Sequence, residues 1–420
     1  MAHSSFVKWA NTGVRAATMG SRFLFILLLA RFVEPEVVGR YGLLTATIGY
    51  SLFFIGLDFY TYSTREILKH ERSHWGALLK NQLALTGVLY ILFLPFSGLL
   101  FSTRTLPAEL ALWFYLILPL EHINQELNRL LVAISDQLVA SVTLFVRHGS
   151  WAIGIVILMA LDRSSRHLNY LLTAWAMAGG LAAIMSIWRL RRLGLRDWNS
   201  RIDWRWIRRG LHICLPLLIA TLALRGIFTF DRYLINMFGG LSLVGVYVLF
   251  AGIAGSMLAF LDAGLFSFTY PELISAATAR HASRFNMQLR RLWQQTAIFS
   301  TLYAVISLAI LAPLLDKIGK PIYTENMPMY FWLLAANTLN ALSMVPHYAL
   351  YAQHLDRPII VSHLVSLAAF LPACLLLQFW NRALSVPIAL CLSMLVMLLW
   401  KTAMLYRHTP VEYLGNTGSA

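Results

Sequence analysis

Charged side chains are scarce in this sequence. Asp, Glu, Lys and Arg make up 13% of its 420 residues, whereas hydrophobic residues make up 58%. A soluble globular protein carries about 25% charged residues. The deficit excludes an ordinary cytosolic enzyme, because a chain this apolar is stable only where lipid replaces water around it. We therefore predict a polytopic membrane protein.

Cysteines and acidic residues are also few. Cys214, Cys374 and Cys391 all lie in apolar runs, so they predict neither a disulfide framework nor a thiolate metal site. The 34 Lys and Arg residues outnumber the 19 acidic residues and give a formal net charge of +15. In a chain this apolar, such an excess is typical of cytoplasmic loops beside anionic lipid. We expect membrane lipids as partners and no nucleic acid.

Apolar stretches of about 20 residues, long enough to cross the hydrocarbon core of a bilayer, recur along the chain. The first has no cleavage site typical of a signal peptide, so we expect it to be retained. Together they predict an all-α fold. The twelve predicted spans are residues 9–29, 41–59, 83–102, 110–129, 138–161, 168–188, 211–238, 243–270, 296–315, 327–351, 359–380 and 385–405.

The loops between these spans differ in positive charge. With the N-terminus in the cytoplasm, inside segments hold about 21 Lys and Arg residues and outside segments about eight. This bias predicts cytoplasmic N- and C-termini. Three tryptophans, Trp198, Trp204 and Trp206, interleave the largest inside cluster and are interpreted as interfacial anchors rather than a nucleic-acid surface. That cluster comprises Arg189, Arg191, Arg192, Arg196, Arg201, Arg205, Arg208 and Arg209.

An offset of 206 positions aligns the first two spans with the seventh and eighth. Both halves would then cross the membrane in the same sense. We predict two pseudo-symmetric six-helix bundles, residues 1–192 and 211–420, joined by a basic cytoplasmic linker, residues 193–210. Chance similarity between Leu-rich helices is the alternative. The matches pair Phe32, Val38, Gly39, Tyr41, Leu43, Gly49, Leu52 and Glu66 with Phe238, Val244, Gly245, Tyr247, Leu249, Gly255, Leu258 and Glu272.

Arginines lie inside the first span of each half. Arg15 and Arg22 are two helical turns apart and so share one face, as do Arg225 and Arg232. A charge at this depth costs several kcal/mol and therefore predicts a function. Guanidinium keeps its charge and binds phosphate oxygens in a bidentate manner, so we expect an anionic, phosphate-bearing substrate. Snorkelling of Arg15, or pairing of Arg232 with Asp231, is the alternative.

Acids near these spans are candidates for coupling or gating. Asp231 is the deepest, while Asp58 and Asp262 lie near the inner ends of the second and eighth spans. Each could bind a coupling proton or pair with an arginine in one of two states. For Asp58 a solvated helix end is the stronger interpretation.

The fourth span ends in a polar run. Its residues suit hydrogen bonds to sugar hydroxyls in a wet, inward-facing cavity, although a helix emerging into the cytoplasm would look the same. In the tenth span, Asn337, Asn340 and His347 predict interhelical hydrogen bonds rather than a site. The candidate sugar contacts are Glu121, His122, Asn124, Gln125, Glu126 and Asn128.

One catalytic motif occurs and is rejected. His70, Glu71 and His74 spell the H-E-x-x-H pattern of zinc proteases, but they lie in a basic inside loop with no evident third ligand. A phosphate-binding loop, a dinucleotide fingerprint and a G-x-S-x-G element are all missing from the sequence. We therefore predict neither a catalytic residue, nor a metal, nor an enzyme.

Three stretches carry a resemblance to a known family: ARFVEPEVVGRYGLLTATIGY from Ala30, FDRYLINMFGGLSLVGVYVLFAGI from Phe230, and Pro271 to Leu273. They resemble the polysaccharide transporter branch of the multidrug/oligosaccharidyl-lipid/polysaccharide (MOP) exporter superfamily, which includes Wzx-type O-antigen flippases. The resemblance implies a flippase that moves undecaprenyl-diphosphate-linked oligosaccharide across the bacterial cytoplasmic membrane by alternating access.

The same resemblance implies a cationic cavity between the bundles and coupling to a proton or sodium gradient. Arg15, Arg22 and Arg225 match the role of the cavity arginines that hold the diphosphate. The lipid-tail groove of the lipid II flippases is not expected, because this chain lacks their two extra helices. Polymerase and chain-length regulator proteins are the implied protein partners.

Two alternatives remain from the sequence. A drug or cation antiporter of the same superfamily would need an acidic or apolar cavity, which the arginines count against. A membrane glycosyltransferase or polysaccharide polymerase would need catalytic groups at the outer face, where only short loops are predicted.

Overall fold

The computed structural model describes residues 2–195 and 197–410, so Arg196 of the largest inside cluster of arginines lies outside the described residues. Throughout these ranges the chain forms helices and no strands. The helices up to residue 191 are α1 (Ala2–Phe32), α2 (Pro35–Gly56), α3 (Tyr60–Lys69), α4 (Trp75–Ser97), α5 (Leu99–Ser102), α6 (Ala111–Ala133), α7 (Gln137–Phe145), α8 (Trp151–Leu161) and α9 (Leu168–Arg191).

Seven further helices follow within the described residues. Two five-residue π-helical segments interrupt the series. Val146–Ser150 joins α7 to α8, and Asp262–Phe266 joins the first two of the later helices. The later helices are α10 (Trp204–Leu261), α11 (Ser267–Thr278), α12 (Ala282–Ile318), α13 (Pro321–Glu325), α14 (Met327–Ala352), α15 (Asp356–Leu377) and α16 (Arg382–His408).

Every predicted span lies on helical structure, either on one helix or on consecutive helical segments. Eight helical stretches of the described chain are long and apolar enough to cross a membrane, and the pair α2 and α3, bent by 52°, adds a ninth. One of the eight, Trp204–Thr278, contains two predicted spans, separated at Gly240. The other two spans lie on α6 and α14, whose polar residues lower their hydropathy. The prediction of an all-α polytopic membrane protein is confirmed.

Contacts divide the chain into two compact units, the N-terminal unit up to Ile219 and the C-terminal unit from Ala220. In the N-terminal unit, α6 packs on α9, and α1 packs on α7 and α8. In the C-terminal unit, α16 packs along both α14 and α15. The predicted linker at residues 193–210 stays a prediction.

The internal repeat is visible in the local structure of each unit. An offset of 206 places the first residue of α2, Pro35, on Leu241, directly after the break at Gly240. The same offset places the interval from the end of α2 to the start of α3, residues 56–60, on the π-helical segment 262–266. The helix that follows the offset therefore starts at the same place and has a similar length in both copies. It is followed by non-α-helical backbone in each, a break after α2 and a π-helical segment after α10.

A cluster of aromatic side chains closes one end of the N-terminal unit. The ring of Trp206 contacts Phe59 at 5.4 Å and Tyr62 at 5.0 Å between centroids. A Cβ on Gly210 would lie 2.5 Å from both of these partners, so only glycine allows this close approach. Trp206 is buried, and its interpretation as an interfacial anchor is wrong, because its helical face points into this cluster. Trp198 and Trp204 are exposed.

Replacing Gly240 by alanine tests the break between the seventh and eighth spans. Its backbone has φ 77° and ψ −179°, a region that is accessible essentially to glycine alone. We expect Gly240→Ala to destabilise the protein by about 1–3 kcal/mol, measured as a lower Tm in detergent. The matched control is Gly154→Ala in α8, where a Cβ meets nothing within 4 Å. An unchanged Tm for Gly240→Ala would contradict the requirement for glycine at this break.

Candidate functional site

The four predicted cavity arginines differ in their surroundings. Arg15, Arg22 and Arg225 are exposed on their own units. Nε of Arg15 donates to Oγ of Ser141 at 3.1 Å. Arg232 is half-buried and donates to the carbonyl of Phe228 and, at 3.2 Å, to the Asp231 carboxylate. Arg232 therefore has a carboxylate partner, Asp231, in its own helix.

Arg22 and Arg225 occupy similar but not identical depths in their repeats. The offset of 206 places Arg22 on Phe228, three residues after Arg225. Three residues of helix correspond to about 4.5 Å along the axis, less than one turn. Among the described residues Arg22 forms no salt bridge, and it interacts electrostatically with Tyr41 and His148. The guanidinium of Arg22 is therefore available to an anion.

Asp231 is the buried acid of the C-terminal unit, with 1% of its surface exposed. It accepts hydrogen bonds from the Tyr247 hydroxyl at 2.6 Å and from the backbone N–H of Arg232 at 2.6 Å. The repeat places Asp231 on Phe25 and Tyr247 on Tyr41, and those two rings meet edge-on at 5.7 Å. The same contact is thus apolar in one unit and a hydrogen bond to an acid in the other.

The other two predicted acids lie at irregular backbone. Asp58 is half-buried in the break between α2 and α3 and has a φ of 51°. Asp262 is exposed and opens the π-helical segment between α10 and α11. π-helical turns of this kind occur frequently at functional sites.

A buried ion pair lies in the N-terminal unit. Nε of Arg147 donates to Oε2 of Glu121 at 3.0 Å, and its Nη2 contacts the same oxygen and the Glu121 carbonyl. Nε1 of Trp175 donates to Oε1 of Glu121 at 2.8 Å, and Trp151 stacks on Trp175 with 6.1 Å between centroids. Both charged side chains are more than nine-tenths buried. Glu121, a predicted sugar contact, is therefore engaged inside the bundle.

Other members of the polar run also bond within the unit. Nδ2 of Asn124 donates to the carbonyls of Leu120 and Gly179, each at 2.8 Å, which occupies both of its N–H groups. Nδ2 of Asn128 donates to the Ala140 carbonyl at 2.7 Å. These bonds join α6 to α9 and to α7. Gln125 is half-buried.

His122 and Glu126 instead face a cavity of about 800 Å³ in the N-terminal unit. Nδ1 of His122 lies 3.1 Å from the Tyr90 hydroxyl. Glu126 accepts from Nε2 of Gln82 and from Nη1 of Arg129, each at 2.6 Å. Polar groups from α4 and α6 therefore meet on one side of this cavity.

Apolar side chains form the rest of the cavity lining. The guanidinium of Arg129 lies 3.5 Å above the ring of Tyr60, which adds a cation–π contact beside the polar groups. Ligand pockets are typically 300–1,000 Å³, with apolar walls and a few polar groups, and this cavity fits that description. The apolar lining includes Ile67, Leu79, Leu83, Ile123, Leu127, Leu130, Ile187, Leu190 and Leu195.

The H-E-x-x-H residues do not share a helix. α3 ends at Lys69, His70 has an extended backbone, and His74 belongs to the separate 3₁₀ turn Arg72–His74. The zinc-protease geometry needs both histidines on one face of one helix. This arrangement is not formed.

Arg147 is the residue of this region that the sequence analysis missed. Its signal was present, since a charge in the middle of the fifth predicted span is costly unless a partner or a pathway relieves it. Hydropathy alone does not identify that partner. The partner, Glu121, lies 26 positions away on another helix.

These observations define a class: a multi-pass, all-helical membrane protein built on an internal repeat, with ionisable side chains inside its spans. Its fold is shared with solved transporters. An inward-facing multidrug resistance MATE family transporter of the MOP superfamily is similar with a TM-score of 0.75 and 13% identity, over 97% of this chain and 100% of that one. These values establish the fold of the chain as that of MOP transporters.

Two further solved structures share this fold. The lipid II flippase MurJ in an inward closed conformation has a TM-score of 0.72 and 10% identity, over 97% of this chain and 89% of its own. A mutant of the Vibrio cholerae MATE transporter VcmN has a TM-score of 0.58 and 15% identity, over 98% and 99%. Such identities establish the fold alone.

The family follows from the sequence. Residues 9–271 match the model of the polysaccharide biosynthesis protein family, and the chain belongs to that family. No curated protein matches the chain. The resemblance to the polysaccharide branch of the MOP superfamily and the prediction of two pseudo-symmetric helical bundles are confirmed.

Removing Arg147 tests the buried ion pair. Arg147→Met leaves the Glu121 carboxylate buried without its cation, which costs about 3–5 kcal/mol. We expect the double variant Glu121→Gln/Arg147→Met to recover most of this loss, because neither charge then remains. Equilibrium unfolding with sodium dodecyl sulfate in mixed micelles measures both.

A surface pair provides the control for this experiment. Lys69 pairs with Glu66 at 2.8 Å, but the lysine side chain is 67% exposed. Lys69→Met is expected to cost less than about 1 kcal/mol. If Arg147→Met cost no more than Lys69→Met, the ion pair would not support the fold.

Proposed function

We propose that this chain is a flippase for an undecaprenyl-diphosphate-linked oligosaccharide, an O-antigen or exopolysaccharide repeat unit, in the bacterial inner membrane. The observation that carries the proposal is the exposed guanidinium of Arg22, which lies within an apolar span of a polysaccharide biosynthesis family member and forms no salt bridge among the described residues. A permanent cation in such a position is costly without an anionic ligand. Diphosphate is the anion that best fits a guanidinium fork.

The proposed mechanism is alternating access. Arg15, Arg22 and Arg225 hold the diphosphate while the prenyl tail stays in lipid, and the two repeated halves rock so that the site opens first inward and then outward. Release requires weaker binding in the outward state, so a second ligand must bind the two states differently. A proton or sodium gradient would supply that difference. Asp231, Asp58 and Asp262 are the acids proposed for coupling or gating.

The cavity of the N-terminal unit is the proposed site for the sugars. Sugar hydroxyls both donate and accept hydrogen bonds, and the cavity offers the imidazole of His122, the carboxylate of Glu126 and the amide of Gln82. Its apolar wall suits the carbon faces of sugar rings. Glu121, Asn124 and Asn128 would support this wall by joining helices, as their hydrogen bonds within the bundle indicate.

A drug or cation antiporter is the second candidate function. The MATE fold of the structural neighbours and the buried carboxylate of Asp231 favour it. The exposed arginines oppose it, because they repel cationic drugs. Membrane glycosyltransferase or polymerase activity has no such supporting observation. We further propose cytoplasmic termini and contacts with polymerase and chain-length regulator proteins.

Replacing Arg22 and Arg225 by alanine tests the proposed diphosphate site. We expect Arg22→Ala and Arg225→Ala each to slow translocation about tenfold or more, since each loses a charge-assisted hydrogen bond worth about 1.5–3 kcal/mol. The measurement is translocation of fluorescent undecaprenyl-diphosphate oligosaccharide in proteoliposomes.

Two variants control this experiment. Arg22→Lys keeps the charge but not the fork and should retain partial activity. Arg382→Ala removes an exposed arginine at the first residue of α16 and should behave as wild type. A well-folded double variant Arg22→Ala/Arg225→Ala with normal translocation would contradict the proposed diphosphate site.

Filling the cavity tests the proposed sugar site. Gly87 lines the cavity, and a Cβ there meets nothing within 4 Å, so a larger side chain is accommodated only by occupying the cavity. We expect Gly87→Trp to slow translocation of a long oligosaccharide more than that of a single sugar on the same lipid. Gly154→Trp, equally open but outside the cavity lining, is the matched control. Equal effects of Gly87→Trp on both substrates would contradict the assignment.

A further inference from the structure

Three basic side chains from three helices converge in the C-terminal unit. Lys401 on α16 is 1% exposed, although it carries an ammonium group. His347 on α14 and His363 on α15 stack, with 6.2 Å between ring centroids and 8° between planes. Lys401 interacts electrostatically with both imidazoles. We call these three residues the basic cluster.

No carboxylate compensates the basic cluster within the described residues. Lys401 forms no salt bridge there, and the charges that act on His347 are those of Lys401 and His363. Among the elements packed around the cluster, α15 carries Asp356, seven residues or about 10 Å along the helix from His363. α10 contributes the Ala220 carbonyl, which lies 3.2 Å from Nδ1 of His363.

Two further acids lie near the cluster without pairing with it, Asp262 and Asp231. On α14, Tyr348 meets the His347 ring edge-on at 5.6 Å, and Tyr348 itself interacts electrostatically with Asp262 of the π-helical segment. On α10, Asp231 lies eleven residues beyond Ala220, about 16 Å along the helix, and is engaged by Tyr247 and Arg232. Among the described residues, neither acid forms a salt bridge with a member of the basic cluster.

Two imidazole nitrogens of the cluster are buried without a hydrogen-bond partner. They are Nδ1 of His347 and Nε2 of His363. A buried polar atom left unsatisfied costs about 1–3 kcal/mol, so such atoms call for an explanation. A proton shared between these nitrogens and the Lys401 amine would give each a donor or an acceptor. The proton moves between nitrogens, and no covalent bond other than N–H changes.

The chemistry of the three groups suits reversible proton binding. Arginine cannot lose its proton in a protein, but lysine and histidine can, and burial without a counter-ion favours the loss. Three bases this close cannot all be protonated in a low-dielectric interior, because the charges repel one another. The cluster therefore changes its charge one proton at a time. Its three helices and the Ala220 carbonyl of α10 would feel that change directly.

We propose that Lys401, His347 and His363 form the site that binds and releases the coupling proton of transport. This inference rests on the proposed transport function. The basic cluster then carries the coupling proton, and gating is the role that remains for Asp231, Asp58 and Asp262. In the protonated state, an N–H of the cluster is donated to an imidazole nitrogen that is otherwise unpaired. In the deprotonated state that bond is lost, and the packing of α14, α15 and α16 relaxes.

Proton titration of the purified protein in lipid nanodiscs tests the site without any substrate. Lys401→Arg keeps a cation in place that cannot release its proton, so the variant should bind about one proton fewer than wild type between pH 9 and pH 5. Lys317→Arg, an exposed lysine at the end of α12, is the matched control and should titrate as wild type. Equal proton uptake by wild type and Lys401→Arg would overturn the proposal.

A second variant tests the proposal independently, in case Lys401→Arg does not fold. His347→Gln/His363→Gln removes both imidazoles but keeps amides of similar size, and its folding is checked by its elution profile and Tm. Lys401 is then the one ionisable group of the basic cluster that remains. Because its proton binding no longer depends on the two histidines, the titration curve of the variant should shift relative to wild type. An unchanged curve in a folded double variant would also overturn the proposal.

Transport in proteoliposomes then tests the coupling role. Labelled undecaprenyl-diphosphate oligosaccharide should exchange between leaflets in wild type without a gradient. A pH difference of one unit should drive its distribution up to about tenfold if one proton is exchanged per lipid. Lys401→Arg should keep the exchange and show a distribution near one.

The outcomes separate the two proposals. If wild type exchanges the lipid but ignores the gradient, or if Lys401→Arg responds to the gradient like wild type, the coupling role is wrong while the flippase remains. If wild type moves no labelled lipid at all, the proposed function is wrong and the coupling role with it.

Discussion

The constraint on which this structure depends is the free-energy cost of placing polar or charged groups in hydrocarbon. Backbone groups avoid that cost by forming helices, and the described chain is accordingly helical. Side-chain charges need separate solutions. Glu121 and Arg147 neutralise each other beneath two stacked tryptophans, whereas Asp231 accepts hydrogen bonds from Tyr247 and from a backbone N–H. Each of these charges therefore has a partner within its own unit.

The charges that lack such partners carry the functional argument. Arg22 forms no salt bridge among the described residues and lies on an exposed face of α1. Lys401 lies fully buried beside two histidines. The first cannot give up its charge and so calls for an anion, while the second can give up its charge and so suits a proton. The difference between guanidinium and amine thus separates a substrate role from a coupling role.

The spans and the repeat were predictable from the sequence because both are one-dimensional signals. A run of 20 apolar residues is visible without knowing its neighbours, and an offset of 206 positions needs no packing information. Helical periodicity also puts Glu121 on a different face of α6 from His122 and Glu126, and these faces have different surroundings: Glu121 pairs with Arg147, whereas His122 and Glu126 line the cavity. Helical geometry alone decides that much.

Packing between helices was not predictable in the same way. Trp206 carries the same sequence signal as the exposed Trp204, yet it is buried because its face of α10 meets Phe59 and Tyr62. Lys401 drew no prediction from the sequence, since hydropathy does not reveal that it interacts with His347 and His363 on two other helices. Such pairings join residues far apart in the chain.

The central claim is that the substrate is a lipid-linked diphosphate rather than a cationic drug. The most direct measurement uses wild-type protein in proteoliposomes, given fluorescent undecaprenyl-diphosphate oligosaccharide in one experiment and ethidium in another. The account predicts that the lipid label becomes accessible to an impermeant quencher on the opposite side, while ethidium does not accumulate. Accumulation of ethidium with a stationary lipid label would contradict it.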